Sequence, residues 1–233
     1  MPFPAPYRRR PDRLPRVLLV GLLLLAAGVL ASTAGRAEPA GDWRPLFDGK
    51  ALGQWKPTPF GGEGEVAAAD GVLRIAMGAD LSGVTWKGEF PKQNFEVALE
   101  ARRVEGSDFF CGLTFPVGES HCSLILGGWG GGVVGLSSID GEDAANNATT
   151  KVMSFTEGRW YDVRVRVTPD RIVCLLDNER IIDQPLADRT ISVREEVVVS
   201  QPLGIATYAT TAELRKIRWR PAPAGDEAPP PQP

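Results

Sequence analysis

One histidine and three cysteines in 233 residues leave little material for metal or redox chemistry. His121 stands alone and no cysteines sit at zinc-ligand spacing, so no structural zinc is expected. Cys111, Cys122 and Cys174 are odd in number, which leaves at least one unpaired within the chain and argues against a disulfide-stapled scaffold. An excess of one charge is lacking as well. Lys and Arg total 26 against 29 Asp and Glu, a net charge of −3, so nucleic acid is not an expected partner. No glycine run leads into Lys-Ser/Thr, which excludes a phosphate-binding loop, and no Ser-His-Asp signature appears. Beyond Ala31 no apolar run is long enough to span a bilayer. No stretch carries a helical stripe either; at most a single turn is expected around Pro185 to Thr190.

What is present is ordinary globular material, 43% hydrophobic and 24% charged, enough for one complete core. No Pro/Gly-rich linker divides the middle, so one domain is expected over 42–221. Ahead of it, Arg8, Arg9, Arg10, Arg13 and Arg16 precede the apolar run Val17 to Ala31, and small residues follow at Ser32, Ala34, Gly35 and Ala37. That order reads as an export signal over residues 1–37, cleaved after Ala34 or Ala37, for a periplasmic, envelope or secreted protein. Left uncleaved, the same run is an N-terminal anchor, the only circumstance in which a membrane is a partner. Residues 222–233 are Pro-rich and nearly free of apolar side chains, and are expected to be disordered.

Between these ends the apolar residues recur at every second position. Phe95, Val97, Leu99 and Ala101 alternate with Glu96, Ala98, Glu100 and Arg102; Tyr161, Val163, Val165 and Val167 alternate with Asp162, Arg164, Arg166 and Thr168. Each reads as a strand with one buried and one wet face. Further strands are expected near Val72–Ala76, Val84–Lys87, Phe109–Phe115, Cys122–Leu126, Val133–Ser138, Ile172–Leu176, Gly204–Tyr208 and Leu214–Trp219. Asp70-Gly71, Gly106-Ser107, Gly118-Glu119, Asp140-Gly141 and Asp177-Asn178 punctuate them as turns. Many short antiparallel strands so joined give an all-β fold, packed as two sheets or closed as a barrel.

The opening W-R-P-L-F-D-G-K-A-L-G-Q-W-K (Trp43 to Lys56), followed in order by A-D-G-V-L-R-I (Ala69 to Ile75), N-F-E-V-A-L-E-A-R (Asn94 to Arg102) and C-G-L-T-F (Cys111 to Phe115), resembles the 3-keto-disaccharide hydrolase domain family, also called the 3-keto-glucoside lyase and hydratase domain. The series resumes with G-R-W-Y-D-V-R-V-R-V (Gly158 to Val167), I-V-C-L-L-D-N-E (Ile172 to Glu179) and L-R-K-I-R-W (Leu214 to Trp219). The resemblance implies a two-sheet antiparallel jelly-roll sandwich, concanavalin A-like or laminin-G-like, whose concave sheet faces a carbohydrate or glycoside. It also implies hydrolase or lyase activity on 3-keto sugars. Where relatives carry an Arg after the Gly-Ile/Leu-Phe strand, a Tyr-Glu-Val-Gln segment and a Leu-Gln with a nearby His, this chain has Pro116, His121-Cys122-Ser123 and Ile205-Ala206-Thr207-Tyr208. Catalytic residues are therefore not carried over. A non-catalytic laminin-G-like adhesion or envelope module is the alternative.

Candidate residues follow from the needs of a sugar site: an aromatic platform for C–H faces, and hydroxyls, amides or carboxylates for hydroxyl groups. In a hairpin turning near Gly118, Cys111 and Cys122 share the apolar face, and His121 and Ser123 share the other with Thr114 and Pro116. Trp129, flanked by glycines in the Gly127–Asp143 segment, is a candidate platform. Asp140, with Glu142 and Asp143, forms an acidic turn whose oxygens suit a hard cation such as calcium; the spacing lacks the other ligands of a calcium loop, so a solvated turn is expected and no cofactor is assigned. Glu96 and Glu100 either pair with strand arginines across a sheet or face the groove as a carboxylate pair. Phe47, Leu52 and Trp55 are expected to clasp the Asp48-Gly49 turn, with Trp160 packing likewise at a strand start. Asp177-Asn178 replaces the Asn-Gly of relatives, which predicts a different hairpin loop. Asn147-Ala148-Thr149 matches a glycosylation acceptor.

Overall fold

The computed structural model describes residues 43–222, so the segment read as an export signal and nearly all of the Pro-rich tail lie outside the described residues. The alternation read in the sequence sets the architecture. Phe95, Val97, Leu99 and Ala101 are shut off from water, as are Val163, Val165 and Val167, while their alternates reach the opposite face of the same sheet. Two antiparallel sheets result. The first runs β13 (Glu179–Pro185), β12 (Arg171–Leu176), β11 (Tyr161–Val167), β6 (Phe95–Gly106), β15 (Thr210–Pro221), β4 (Val72–Ile75) and β3 (Val66–Ala69), with β1 (Arg44–Pro45) added to β15. The second runs β10 (Lys151–Val152), β9 (Val133–Ser137), β8 (Ser120–Gly127), β7 (Cys111–Val117), β14 (Gly204–Tyr208), β5 (Leu81–Trp86) and β2 (Trp55–Pro57). This is the two-sheet sandwich expected, not a closed barrel.

Between the sheets, Phe95, Leu99, Val163 and Ile172 meet Leu113, Phe115, Leu124, Leu126 and Ile205, all fully buried. Each such side chain contributes about 1.5–3 kcal/mol by leaving water. The hairpin joining β7 to β8 pairs Val117 with Ser120, and Gly118 supplies the left-handed φ of +61° that the two-residue loop requires. Cys111 and Cys122 consequently both face the core, and neither they nor Cys174 form a disulfide.

Three expectations are corrected. The loop between β12 and β13 adopts the conformation that Asn-Gly would favour: Asp177 and Asn178 both take left-handed φ values, +51° and +68°. Short polar side chains tolerate that region, and Asp177 is fixed there by accepting from the Asp162 amide (2.9 Å) and the Arg159 guanidinium (2.6 Å). Trp160 is not a core residue; it is half-buried outside the sheet, between the guanidinium groups of Arg102 (4.6 Å) and Arg215 (4.0 Å). The segment Pro185–Thr190 makes only a β-turn, Arg189 N to Leu186 O at 3.2 Å; a left-handed turn falls at Gly128–Gly131 and a 3-10 turn at Glu195–Ser200. The amino-terminal clasp forms as expected, with Trp55 fully buried and its indole donating to Leu46 O at 2.9 Å. Asn147 is consumed inside its own loop: Nδ2 donates to the carbonyls of Leu136, Glu142 and Asp143.

Candidate functional site

The outer face of the second sheet is where small and hydroxylic residues replace the apolar alternates. Register places Thr114, Ser123 and Ser137 side by side across β7, β8 and β9. Thr114 and Ser123 share a hydrogen bond of 2.8 Å. The Ser137 hydroxyl is buried without a partner, an unsatisfied group that costs about 1–3 kcal/mol. A cleft of about 340 Å³ opens over these serines. Phe109, Trp129 and Tyr208 supply its aromatic surface, and Asp108, Arg194 and Glu196 its charges.

The platform is held by a residue on the far side of the core. By alternation Arg103 continues the inward face of β6, and it is the buried arginine at that end of the sandwich. Its Nη2 donates to the carbonyls of Asp108 (2.9 Å), Gly127 (3.3 Å) and Gly131 (3.3 Å), gripping the turn that carries Trp129. Burial lowers its pKa, against the opposing pull of Asp108. Trp129 itself takes a left-handed φ of +50° and stands 46% exposed, a conformation that costs an ordinary residue about 1–2 kcal/mol. Asp108 completes the support, accepting from the Phe109 amide and from the Gly130 amide, both at 2.8 Å. Phe109 lies over Gly112, where a Cβ would come within 3.0 Å of its ring, and stacks on Tyr208 at 6.1 Å. The Tyr208 hydroxyl donates to Asp80 at 3.3 Å.

The opposite wall comes from the segment before β14. Arg194 binds Glu196 (2.8 Å) and Asp143 (3.1 Å), which ties the segment to the Asp140–Asp143 turn. The Arg194 hydrogen bond holds the Glu196 carboxyl below its ordinary range, so it is ionised at neutral pH.

Of the candidates read from the sequence, Ser123 and Trp129 come together in this cleft. His121 lies on the same face of β8, two residues along, outside the lining. Burial, then the charge of Lys92, lowers its pKa and keeps the imidazole neutral at pH 7. Asp140 is taken by Arg189 (2.7 Å) and the Thr190 amide (2.8 Å), and among the described residues no cluster of three or more His, Cys, Asp or Glu side chains is placed to hold a metal. Glu96 and Glu100 are on the outer face of the other sheet, so they do not reach the cleft. They make the cross-sheet pairs expected of them: Glu96 with Arg220 (2.8 Å) and Arg166 (3.4 Å), Glu100 with Arg215 (2.6 Å) and Lys216 (2.5 Å). Lys216 gains that reach from a bulge in β15, where its φ is +54°.

Comparison with known proteins adds the following. A family model described as the 3-keto-alpha-glucoside-1,2-lyase-like domain matches residues 42–220. Apo Crh5 transglycosylase is similar in structure with a TM-score of 0.54 at 11% identity, over 77% of this chain and 83% of its own. A candidate glycosyl hydrolase from Parabacteroides distasonis ATCC 8503 gives 0.51 at 13% identity, over 78% and 94%. A structure from work on endo-acting O-glycanases of the human gut microbiota gives 0.51 at 12%, over 77% and 100%. At such identities the likeness establishes a common fold. No protein with a curated description matches the sequence.

Proposed function

Because this chain belongs to the 3-keto-alpha-glucoside-1,2-lyase-like domain family, we propose that it binds a glycoside in the cleft beside Trp129, as an exported carbohydrate-engaging domain. The observation that carries this is the meeting of three aromatic side chains, Phe109, Trp129 and Tyr208, with the hydroxyls of Ser123 and Ser137 and the charges of Asp108, Arg194 and Glu196 in one concavity. Aromatic faces take up the C–H surface of a pyranose, and the polar groups fix its hydroxyls. A protein-docking module of the laminin-G type calls for a flatter apolar patch. Export rests on the amino-terminal sequence pattern.

A second reading, turnover, is favoured by Glu196. An acid-catalysed glycosidase needs a carboxyl kept protonated, whereas Glu196 is held ionised by Arg194. Ionised, it can take the proton beside a keto carbon, although the pairing that lowers its pKa also makes it a weaker base. What supports the role is its place in the cleft lining beside the Arg194 guanidinium, a charge that can stabilise the resulting enolate. The enolate then expels the glycosidic oxygen, breaking the C1–O bond and forming a C1–C2 double bond, and the leaving oxygen takes up the proton held by Glu196 or one from water, which is lyase chemistry on a 3-keto glycoside.

Both readings are tested by titrating the purified protein with a panel of glycosides and 3-keto-glucosides, following affinity and aglycone release. Trp129→Ala is expected to weaken binding about tenfold or more, the scale of a lost aromatic anchor. Glu196→Gln should end any release and cost less affinity than Trp129→Ala, since the amide keeps the side chain's shape and an oxygen that accepts from Arg194. Binding without release leaves the binding role alone; neither binding nor release across the panel defeats the proposal.

A further inference from the structure

A second cleft, of about 440 Å³, lies between the edge strand β13 and the Ala148–Lys151 segment, and it shares no lining residue with the Trp129 cleft. Its charge is one-sided. Lys151, Arg180 and Arg189 line it against a single carboxylate, Asp183, in a chain whose net charge is −3. Asp183 is already occupied by Arg180 (2.8 Å) and Arg171 (3.3 Å), and one arm of Arg189 by Asp140 (2.7 Å). The Lys151 side chain is exposed, with no hydrogen-bond or ion-pair partner among the described residues.

Arg180 is the unusual member. Its side chain is 10% exposed, yet it spends one donor on Asp183 and its Nε has no partner. A guanidinium has five donors in a planar fork suited to an oxyanion, and burying it with donors idle is costly. Gln184 turns its amide nitrogen to Pro185 O at 2.6 Å, which leaves its carbonyl oxygen to accept from a hydroxyl. Cations beside a hydroxyl acceptor describe a ligand that is both anionic and polyhydroxylic.

We propose that this cleft binds an acidic sugar through the carboxylate of a uronate. The sugar part rests on the glycan reading above; the anion part does not. The probes are glucuronate, glucose and inorganic sulfate, titrated into the whole protein by calorimetry at low and raised salt. Glucuronate is expected to bind in the millimolar range and to weaken with salt, while glucose does not bind at this cleft. Lys151→Glu, a change at an exposed position, should weaken glucuronate about tenfold, and Trp129→Ala should leave it unchanged. If Arg180→Gln fails to fold, Lys151→Glu still decides. No glucuronate binding, no effect of Lys151→Glu, or binding of sulfate without glucuronate would each overturn the proposal. Loss through Trp129→Ala would move the sugar to the first cleft and overturn it too. Failure of the glycan reading shows separately, as a flat response of the first cleft to neutral glycosides.

Discussion

Arg103 and Gly127 constrain each other: the guanidinium Nη2 donates to the Gly127 carbonyl at 3.3 Å, and a Cβ on Gly127 would lie 2.6 Å from that same nitrogen. The backbone there has a φ of +79°, so glycine is required both by conformation and by the arginine's approach. Through this contact the interior of the sandwich sets the pose of Trp129.

Substitutions on the two sides of the contact should therefore behave alike. Arg103→Met is expected to lower stability by about 1.5–3 kcal/mol, the scale of hydrogen bonds to a charged group. Gly127→Ala should cost more than Gly130→Ala, since Gly130 has a similar φ of +84° but open space around its Cβ position. Urea unfolding of the three variants ranks the costs, and tryptophan fluorescence reports whether the platform has moved.

Ser137→Ala separates stability from function. Removing a buried hydroxyl that lacks a partner relieves a penalty of about 1–3 kcal/mol, so the melting temperature should hold or rise. Glycoside affinity should fall if the hydroxyl serves the ligand. A clear drop in melting temperature would show that Ser137 has a structural partner after all.

Acid should act through the charged outer face of the first sheet. Burial raises the pKa of Glu100, but the hydrogen bonds and charges of Lys216 and Arg215 outweigh it and leave the carboxyl below its ordinary 4.5. Glu213 follows the same pattern, with Arg102 and Arg74 outweighing burial. A depressed pKa in the folded state adds stability that is complete above the unfolded value and is lost as pH falls through the folded one. Stability should thus begin to fall near pH 4.5 and go on falling below it. Glu100→Gln, less stable at neutral pH, should show a shallower decline when urea midpoints are compared from pH 7 to roughly pH 3.

The thiols should be silent. Burial pushes Cys111 and Cys122 up to about 12 and Cys174 well above its ordinary value, and the thiolate is the reactive form. A thiol reagent should label none of the three in the native protein and all of them in denaturant. Labelling of the native protein would show that the core opens.

Strands with clean alternation were legible from the sequence; Gly204–Tyr208 has the same bounds in both. Val66–Ala69 was not, because three alanines in a row carry no period. Trp55–Pro57 ends in proline, and β13 buries the adjacent Ile181 and Ile182 where the β12–β13 register shifts, which defeats alternation. In the cleft, Ser123 and Trp129 were marked by face and by flanking glycines. Phe109, Ser137, Arg194, Glu196 and Tyr208 come from separated segments that only the packing of the sheets joins. Arg103 did leave a signal: an arginine at the next inward position after Phe95, Val97, Leu99 and Ala101.

The pairing of Arg44 with Trp219 brings the start and finish of the sandwich side by side. A pull applied to both ends would open β1 from β15 like a zip, one rung at a time, instead of shearing many rungs together. The same adjacency suits the sandwich to being spliced into another protein's surface loop, or to having its ends joined and a new opening cut elsewhere, without disturbing either sheet's interior order.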